Sequence, residues 1–446
     1  MQSNTQNLIN FIIDQSLKKG AKIAEVIQSS SKSLSVSTRL SKLENVKNSE
    51  SQAISLRVII DNKQSLVATN DFNKESLNNL IDKAITMAKS VPEDPYIDIT
   101  KTPLAKSELL DLKLYDNTVM DLSLLTNIVK QTEEAALCTA GITNSNGAKA
   151  TYSTNSLTIS NSNHNEIYHY LTSLNSISIS VVAGTSTDMQ TDLDYSMARF
   201  VSDLESPESI GKQAANRALK KLFPKKILTN NMPVVFAPRV ANSILLDFIK
   251  SINGYTIAKG ASFLKDKMHS QIFSSNINIT DDAWRVRGIY SKPFDDECIK
   301  NSPLNLVQDG ILTNWLLDLS CAKKLGLHSN GRAQRNFSSV PIPGSTNVFF
   351  HSGTPTPEDL ISDIKYGFYV TDLFSTDVNL ITGDYSRGAA GFAIENGTIT
   401  HPVNEVTIAS NLLSMFQTLS LANDLEFRYG VDSPTLLIPN MMVAGV

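Results

Sequence analysis

Asp384, Tyr385, Ser386 and Arg387 place an acid, a phenol, a hydroxyl and a guanidinium on one short segment flanked by Gly383 and Gly388, in the stretch GDYSRGAA. Such a segment can bind a peptide backbone or a carboxylate, because ionised donors and acceptors make the stronger hydrogen bonds. It is not a nucleotide P-loop. The two glycines have the spacing of GxxxxGK[ST], but Ala389 and Ala390 stand where a lysine and a hydroxyl would reach phosphate and magnesium. A second reading stays open: a tight turn in which Arg387 pairs with Asp384 or another acid.

Other reactive residue types are less well arranged. The run PFDDE brings Asp295, Asp296 and Glu297 together as potential oxygen ligands for a hard cation, or as a general base, although three adjacent acids ordinarily mark a solvated loop. None of the six histidines sits three or four residues from another on a helical pattern. His401 and Glu405 are separated by Pro402, which argues against a shared helical face. The three cysteines, Cys138, Cys298 and Cys321, form no CxxC pair, and Cys321 lies in a helical pattern without a nearby base, which predicts a packing role. No G-x-S-x-G elbow is present.

These residues hang on a recognisable succession of elements. Leu8, Ile9, Ile12, Ile13 and Leu17 recur at helical spacing up to Gly20. Strands are expected at 24–29, 33–38 and 54–68, the last folded into a hairpin at Asp61 to Lys63, and a helix over 74–90. After Pro92, Pro95 and Pro103 the order restarts, with a helix from Val119 to about residue 140, strands at 156–160, 166–172 and 176–182, and a helix over 207–222. A duplication is one explanation of this repeated order, but no residue-level repeat carries it. The apolar strand MPVVFA opens a third region, in which Asp309-Gly310 and Asn396-Gly397 mark two-residue hairpin turns; Phe392, Ile394 and Ile399 are expected to share a buried side. The expected class is α+β: N-terminal helix and antiparallel-strand units, then a β-rich C-terminal domain with flanking helices. The expected divisions are a first α+β domain at 1–91, a linker at 92–110, a central α+β domain at 111–223 and the C-terminal domain at 224–446.

Forty basic against 44 acidic residues give a net charge of -4, and the densest basic cluster is Lys220, Lys221, Lys225 and Lys226. A nucleic-acid partner is not expected from that balance. The start MQSNTQNLINFIIDQSLKKG has no basic segment leading into a continuous apolar one, and apolar runs fall far short of the roughly 18 residues of a membrane span. With unpaired cysteines, this predicts a cytoplasmic protein with no membrane partner.

The stretch ITGDYSRGAAGFAIENGTITHPVNEVTIASNL at 381–412 resembles the closing block of the TldD/PmbA family, the modulators of DNA gyrase read as two-subunit metallopeptidases. The segments KAITMAKSVPEDPY, ARFVSDLESPESIGKQAANRAL, VVFAPRVA and DGILTNWLLDLSCAKKLGLHSNG extend the resemblance over nearly the whole chain. In the metal-bearing, TldD-like subunit, a helix early in the last domain carries His-Glu-x-x-x-His, and a late cysteine joins the two histidines. The comparable segment here is RVANSILLDFIKSINGY at 239–255, without histidine; Leu246, Asp247 and Ser251 fall near the motif positions, and no cysteine follows Cys321. The chain therefore resembles the PmbA (TldE) type of subunit. The resemblance implies no cofactor in this chain, zinc in a TldD-like partner, a heterodimer or larger assembly, and peptides or unfolded protein segments as substrates. It implies no catalytic residue and no metal ligand here, with substrate contact by Gly383, Asp384, Tyr385, Ser386, Arg387 and Gly388. Two alternatives stand beside it: a non-enzymatic peptide-binding or regulatory homodimer, and an autonomous hydrolase using Asp295, Asp296 and Glu297 with a hard cation.

Overall fold

The computed structural model describes residues 2–101, 104, 108–164 and 166–446. Two successive units each contribute two helices and three strands. The first contains α1 (Gln2–Lys18), β1 (Ile23–Arg39), β2 (Lys42–Ile60), β3 (Lys63–Thr69) and α2 (Lys74–Ser90). The second contains α3 (Leu122–Leu137), β4 (Ile142–Asn161), β5 (Ile167–Ala183), β6 (Gln190–Ala198) and α4 (Pro207–Lys220). Their strands form one antiparallel sheet in the order β3-β2-β1-β4-β5-β6, joined at its centre by β1 and β4.

Local chemistry explains the element ends. Asn73, Asp121 and Ser206 each accept the backbone N–H three residues on, capping α2, α3 and α4. Asp61 and Asn62 both take positive φ in the β2–β3 turn. Gly211 lets α4 approach α3 closely, since a Cβ there would meet the Thr132 carbonyl at 2.3 Å.

Alternation along the strands decides which face packs where. Val26, Ile54, Leu56 and Val58 meet Ile9, Ile12, Leu77 and Ile81 of α1 and α2, while Ala148, Ile177 and Ile179 meet Leu125, Val129 and Ala214 of α3 and α4. The opposite face, carrying Ile27, Ile159 and Tyr168, packs on Phe294 and Cys298 of the C-terminal region. Glu25, on the same side as Ile27, forms a buried ion pair with Arg335. Of the proline-punctuated segment, Pro103 lies outside the described residues, whereas Ile97, Ile99 and Leu104 are buried.

The C-terminal region begins with β7 (Asn230–Phe236) and α5 (Pro238–Ser251), followed by α6 (Gly254–Ala258). Then come β8 (Ile279–Asp282), β9 (Leu304–Gln308), β10 (Ile311–Leu312), α7 (Leu319–Leu325), β11 (Ala333–Gln334), β12 (Ile342–Pro343), β13 (Asn347–Phe350) and α8 (Pro357–Ser362). The chain closes with β14 (Tyr366–Val378), β15 (Asp384–Glu395), β16 (Thr398–Asn411), α9 (Leu412–Thr418), β17 (Ser420–Leu421), β18 (Val431–Asp432) and β19 (Leu436–Ala444). Strands β7, β14, β15, β16 and β19 close into a ring through the β16–β19 pairing, and β8, β9, β10, β13 and β18 form a second sheet. Asp309-Gly310 and Asn396-Gly397 turn with positive φ at all four residues. Ile399 does not share a buried side with Ile394: it is 41% exposed, on the rim of the hairpin that carries it. The architecture is α+β, with a β-rich C-terminal region flanked by helices. Among the described residues no helix is long and apolar enough to cross a membrane.

Candidate functional site

The segment GDYSRGAA is not a loop. From Asp384 onward it is strand β15, paired on both edges with β14 and β16. Only Gly383 precedes the strand, with φ of +82°. Its N–H donates to the Asn379 carbonyl at 2.7 Å, and its own carbonyl accepts from the Leu412 N–H at 2.7 Å. Alanine and aromatic residues satisfy a strand as well as a loop, and pairing on both sides overrides the glycines.

Strand alternation then splits the candidate residues between two faces. Asp384, Ser386 and Gly388 share one side; Asp384 is exposed and accepts hydrogen bonds from the Thr382 hydroxyl at 2.6 Å and the Asn411 amide at 3.4 Å. Tyr385 and Arg387 share the other, 1% and 7% exposed. An Arg387–Asp384 pair is therefore excluded: the two side chains leave the strand in opposite directions.

Inside, Tyr385 lies within electrostatic reach of Asp247 of α5 and beside Arg387. That helix buries Ile244, Leu245 and Phe248 against Phe236, Phe368 and Ile408, which carries Asp247 into the interior at 1% exposure. Lys250 pairs with Asp247 Oδ1 at 3.0 Å. Asp247 Oδ2, the Tyr385 hydroxyl and Arg387 Nε are all sealed from solvent without a hydrogen-bond partner. The Arg387 guanidinium carbon lies 5.8 Å from the Tyr385 ring centroid. Burial holds the Tyr385 phenol above its usual range, with Arg387 opposing that shift and Asp247 adding to it. These three unpartnered polar atoms are costly to the fold, since an unpaired buried donor or acceptor costs about 1–3 kcal/mol.

The acidic run behaves differently from its expected solvated loop. Asp295, Asp296 and Glu297 are 1%, 6% and 2% exposed. Asp295 accepts the N–H groups of Glu297 and Ile299 at 2.9 Å and of Ala333 at 3.0 Å. Asp296 accepts Lys292 Nζ at 2.8 Å and the Arg335 N–H at 2.9 Å. Glu297 accepts the Leu319 N–H at 2.9 Å. Burial pushes the Asp295 carboxyl up to about 7 against those amide bonds, and burial with the nearby Asp295 charge raises Glu297 well above the carboxylate range. The partners come from the 331–335 and 319 regions, which adjacency in the sequence does not reveal.

Cys321 is buried in α7, whose Asp318 cap and left-handed Gly326 bound it, and burial raises its thiol rather than activating it. His164 and His169 bond to Asn161 and Thr158. Of the lysine cluster, Lys221 pairs with Asp192 and Asp372, and Lys226 with Glu405.

A ring of strands carrying an inward polar set, behind a two-unit antiparallel sheet, defines the architectural class. The chain belongs to the PmbA/TldD metallopeptidase family. Family models for domain 1, the central domain and the C-terminal domain of the PmbA/TldA metallopeptidases match residues 24–88, 115–222 and 229–445. A relative from Haemophilus influenzae named metalloprotease PmbA homolog is 32% identical over 446 residues, covering 100% of this chain and 97% of its own. The fold is shared with a protein of Bacteroides thetaiotaomicron described as a modulator of DNA gyrase, with TM-score 0.89, 24% identity and 99% coverage of both chains. It is shared also with TldE from Thermococcus kodakarensis, with TM-score 0.82, 19% identity, and coverage of 99% of this chain and 100% of that one.

A metallopeptidase family implies a metal, and α5 does not fit one. Leu246 is an exposed hydrocarbon, Asp247 is engaged by Lys250, and the Ser251 hydroxyl donates to the Asp247 carbonyl at 2.7 Å. Zinc sites draw on imidazole, thiolate and carboxylate ligands. Among the described residues no group of three or more His, Cys, Asp and Glu is placed to hold a metal ion.

Proposed function

We propose that this chain is the PmbA/TldE-type subunit of a cytoplasmic TldD/TldE peptide-hydrolysing complex. It shapes the substrate cavity, and a TldD-like partner holds the metal. The observation that carries the reading is the composition of α5, where a hydrocarbon, a lysine-paired acid and a backbone-bonded serine stand in the three positions that the resemblance assigns to the metal motif. The further proposal is that 1–91 and 111–223 act as the two units that wall the cavity, with the 92–110 segment between them, and 224–446 as the body that meets substrate.

In this reading Tyr385 and Arg387, both closed to solvent, act behind the substrate surface by holding a bridging water. Neither side chain supplies a nucleophile. Asp384, Ser386, Gly383 and Gly388 lie at the opposite face or strand start and take no part in that buried set. The test is to purify the chain, mix it with a TldD-like partner, and assay unfolded-peptide hydrolysis across a size-exclusion column. Activity only in fractions containing both chains is the expected result. Chelator-sensitive hydrolysis by the isolated chain overturns the proposal.

A further inference from the structure

Arg199 and Arg285 line one cavity of about 160 Å³, between the end of β6, the 285–289 turn and the segment leading into β18. Neither has an acidic partner at ion-pair distance among the described residues. Arg199, 8% exposed, donates to the carbonyls of Ser173 at 2.9 Å, Gly288 at 3.4 Å and Ile289. Its positive charge is thus fixed in the wall by backbone dipoles and is not neutralised. Arg285 stacks its guanidinium 3.2 Å above the Phe427 ring centroid. No hydrogen bond from that guanidinium occurs among the described residues. Stacking occupies the flat face of a guanidinium and leaves the edge donors, whose fork matches a carboxylate.

The other charges around the cavity are already used. Arg287 holds both oxygens of Asp203, at 2.8 and 2.9 Å. Arg428 pairs with Asp194 at 3.0 Å and Glu205 at 2.8 Å. The Asp432 carboxylate turns to the N–H groups of Arg428, Tyr429 and Gly430. Arg285 also feels the charges of Asp432 and Asp282, so what the cavity offers an anion is two guanidinium groups without an ion-pair partner rather than a large excess of positive charge.

We propose that this cavity binds a carboxylate carried on a peptide, with Arg285 as the direct contact and Arg199 as the fixed charge behind it. The peptide part of this assignment rests on the function proposed above. The space is that of about five waters, enough for a carboxylate and the carbon bearing it. Arg428 also borders a neighbouring cavity of about 260 Å³ lined by Tyr195 and Tyr429, where the preceding residues of the peptide would lie.

The experiment titrates the full chain with four probes: N-acetyl-tetraalanine with a free C-terminus, the same peptide as its amide, the amide with glutamate in the last position, and N-acetylglycine. The free acid is expected to bind about tenfold more tightly than the amide, with the advantage lost in Arg285→Gln and partly kept in Arg285→Lys. Rescue of the amide by terminal glutamate would assign a side-chain carboxylate; failure of rescue would assign the C-terminus. Equal binding of acid and amide, unaffected by Arg285→Gln, overturns the carboxylate site and leaves the peptide reading standing. Binding of N-acetylglycine that depends on Arg285, with no peptide bound, keeps the carboxylate site and overturns the peptide reading. Binding of none of the probes overturns both.

Discussion

Two buried polar clusters in the C-terminal region are built to opposite rules. Around residues 331–335, Asp281, Asp295 and Asp296 have both carboxylate oxygens bonded: to Arg332 and Thr346, to three amides, and to Lys292 and an amide respectively. Between α5 and β15, Asp247 Oδ2, the Tyr385 hydroxyl and Arg387 Nε are equally hidden and have no partner. Proteins pair most of their buried polar groups, so the three aspartates are satisfied by the chain itself, whereas the α5–β15 set keeps unmet hydrogen-bonding capacity, as do Arg335 Nε and Nη2 and Glu25 Oε2 beside the aspartates. Acid content alone would have ranked them the other way.

The largest effect that sharpens this contrast comes from Arg332→Met. Arg332 and Asp281 are both fully buried, 2.8 Å apart, and Arg332 also donates to the carbonyls of Asp281, Ser302, Asn330 and Gly331. Removing the guanidinium strands a buried carboxylate, and urea denaturation should show a loss of about 3–5 kcal/mol. Unchanged stability would mean that the completed cluster is not structural.

A smaller effect should appear in the pH dependence. Asp295 and Glu297 have carboxyls raised by burial, so the folded state holds protons that the unfolded chain has released. The stability from these groups is therefore full below the ordinary carboxylate range and is lost as pH rises through about 7, the opposite sign to a salt-bridged acid. Urea midpoints should fall between pH 5 and pH 8, and Glu297→Gln should flatten that fall, because the amide keeps an oxygen for the Leu319 N–H and removes the repulsion with Asp295. A midpoint that rises over this range, or an unchanged slope in the variant, contradicts the assignment.

The smallest stability effect belongs to Tyr385→Phe. The hydroxyl loses at most a loose interaction with Arg387, so the change should stay within about 1 kcal/mol and could stabilise the chain. The same variant, assembled with a TldD-like partner, should raise the KM for peptide more than it lowers kcat. A loss of several kcal/mol in stability would place Tyr385 among the completed structural groups instead.

Periodicity made much of the helical framework legible. The 74–90 helix and the start of α4 at Pro207 match their expected positions, and the three turns at Asp61-Asn62, Asp309-Gly310 and Asn396-Gly397 all adopt left-handed backbone. The long strands were harder to read. Segments expected as separate strands at 24–29 and 33–38 form one continuous β1, and the two at 166–172 and 176–182 form one β5. The first half of β2 is exposed along nearly its whole length, so its sequence shows no apolar alternation. At the site, the family block drew attention to Tyr385 and Arg387, but not to the strand that separates them from Asp384 and Ser386. The burial of Asp295 and Glu297 depends on amides at 299, 319 and 333, contacts that no local pattern encodes.

The most direct measurement of the central claim is the zinc content of the isolated chain after incubation with zinc and gel filtration, read by mass spectrometry beside a TldD-like partner treated identically. The account predicts a partner loaded near stoichiometry and this chain far below it. Stoichiometric zinc in this chain, lost on substituting Asp247, would show that α5 assembles a metal site after all and would contradict its role as the subunit without metal.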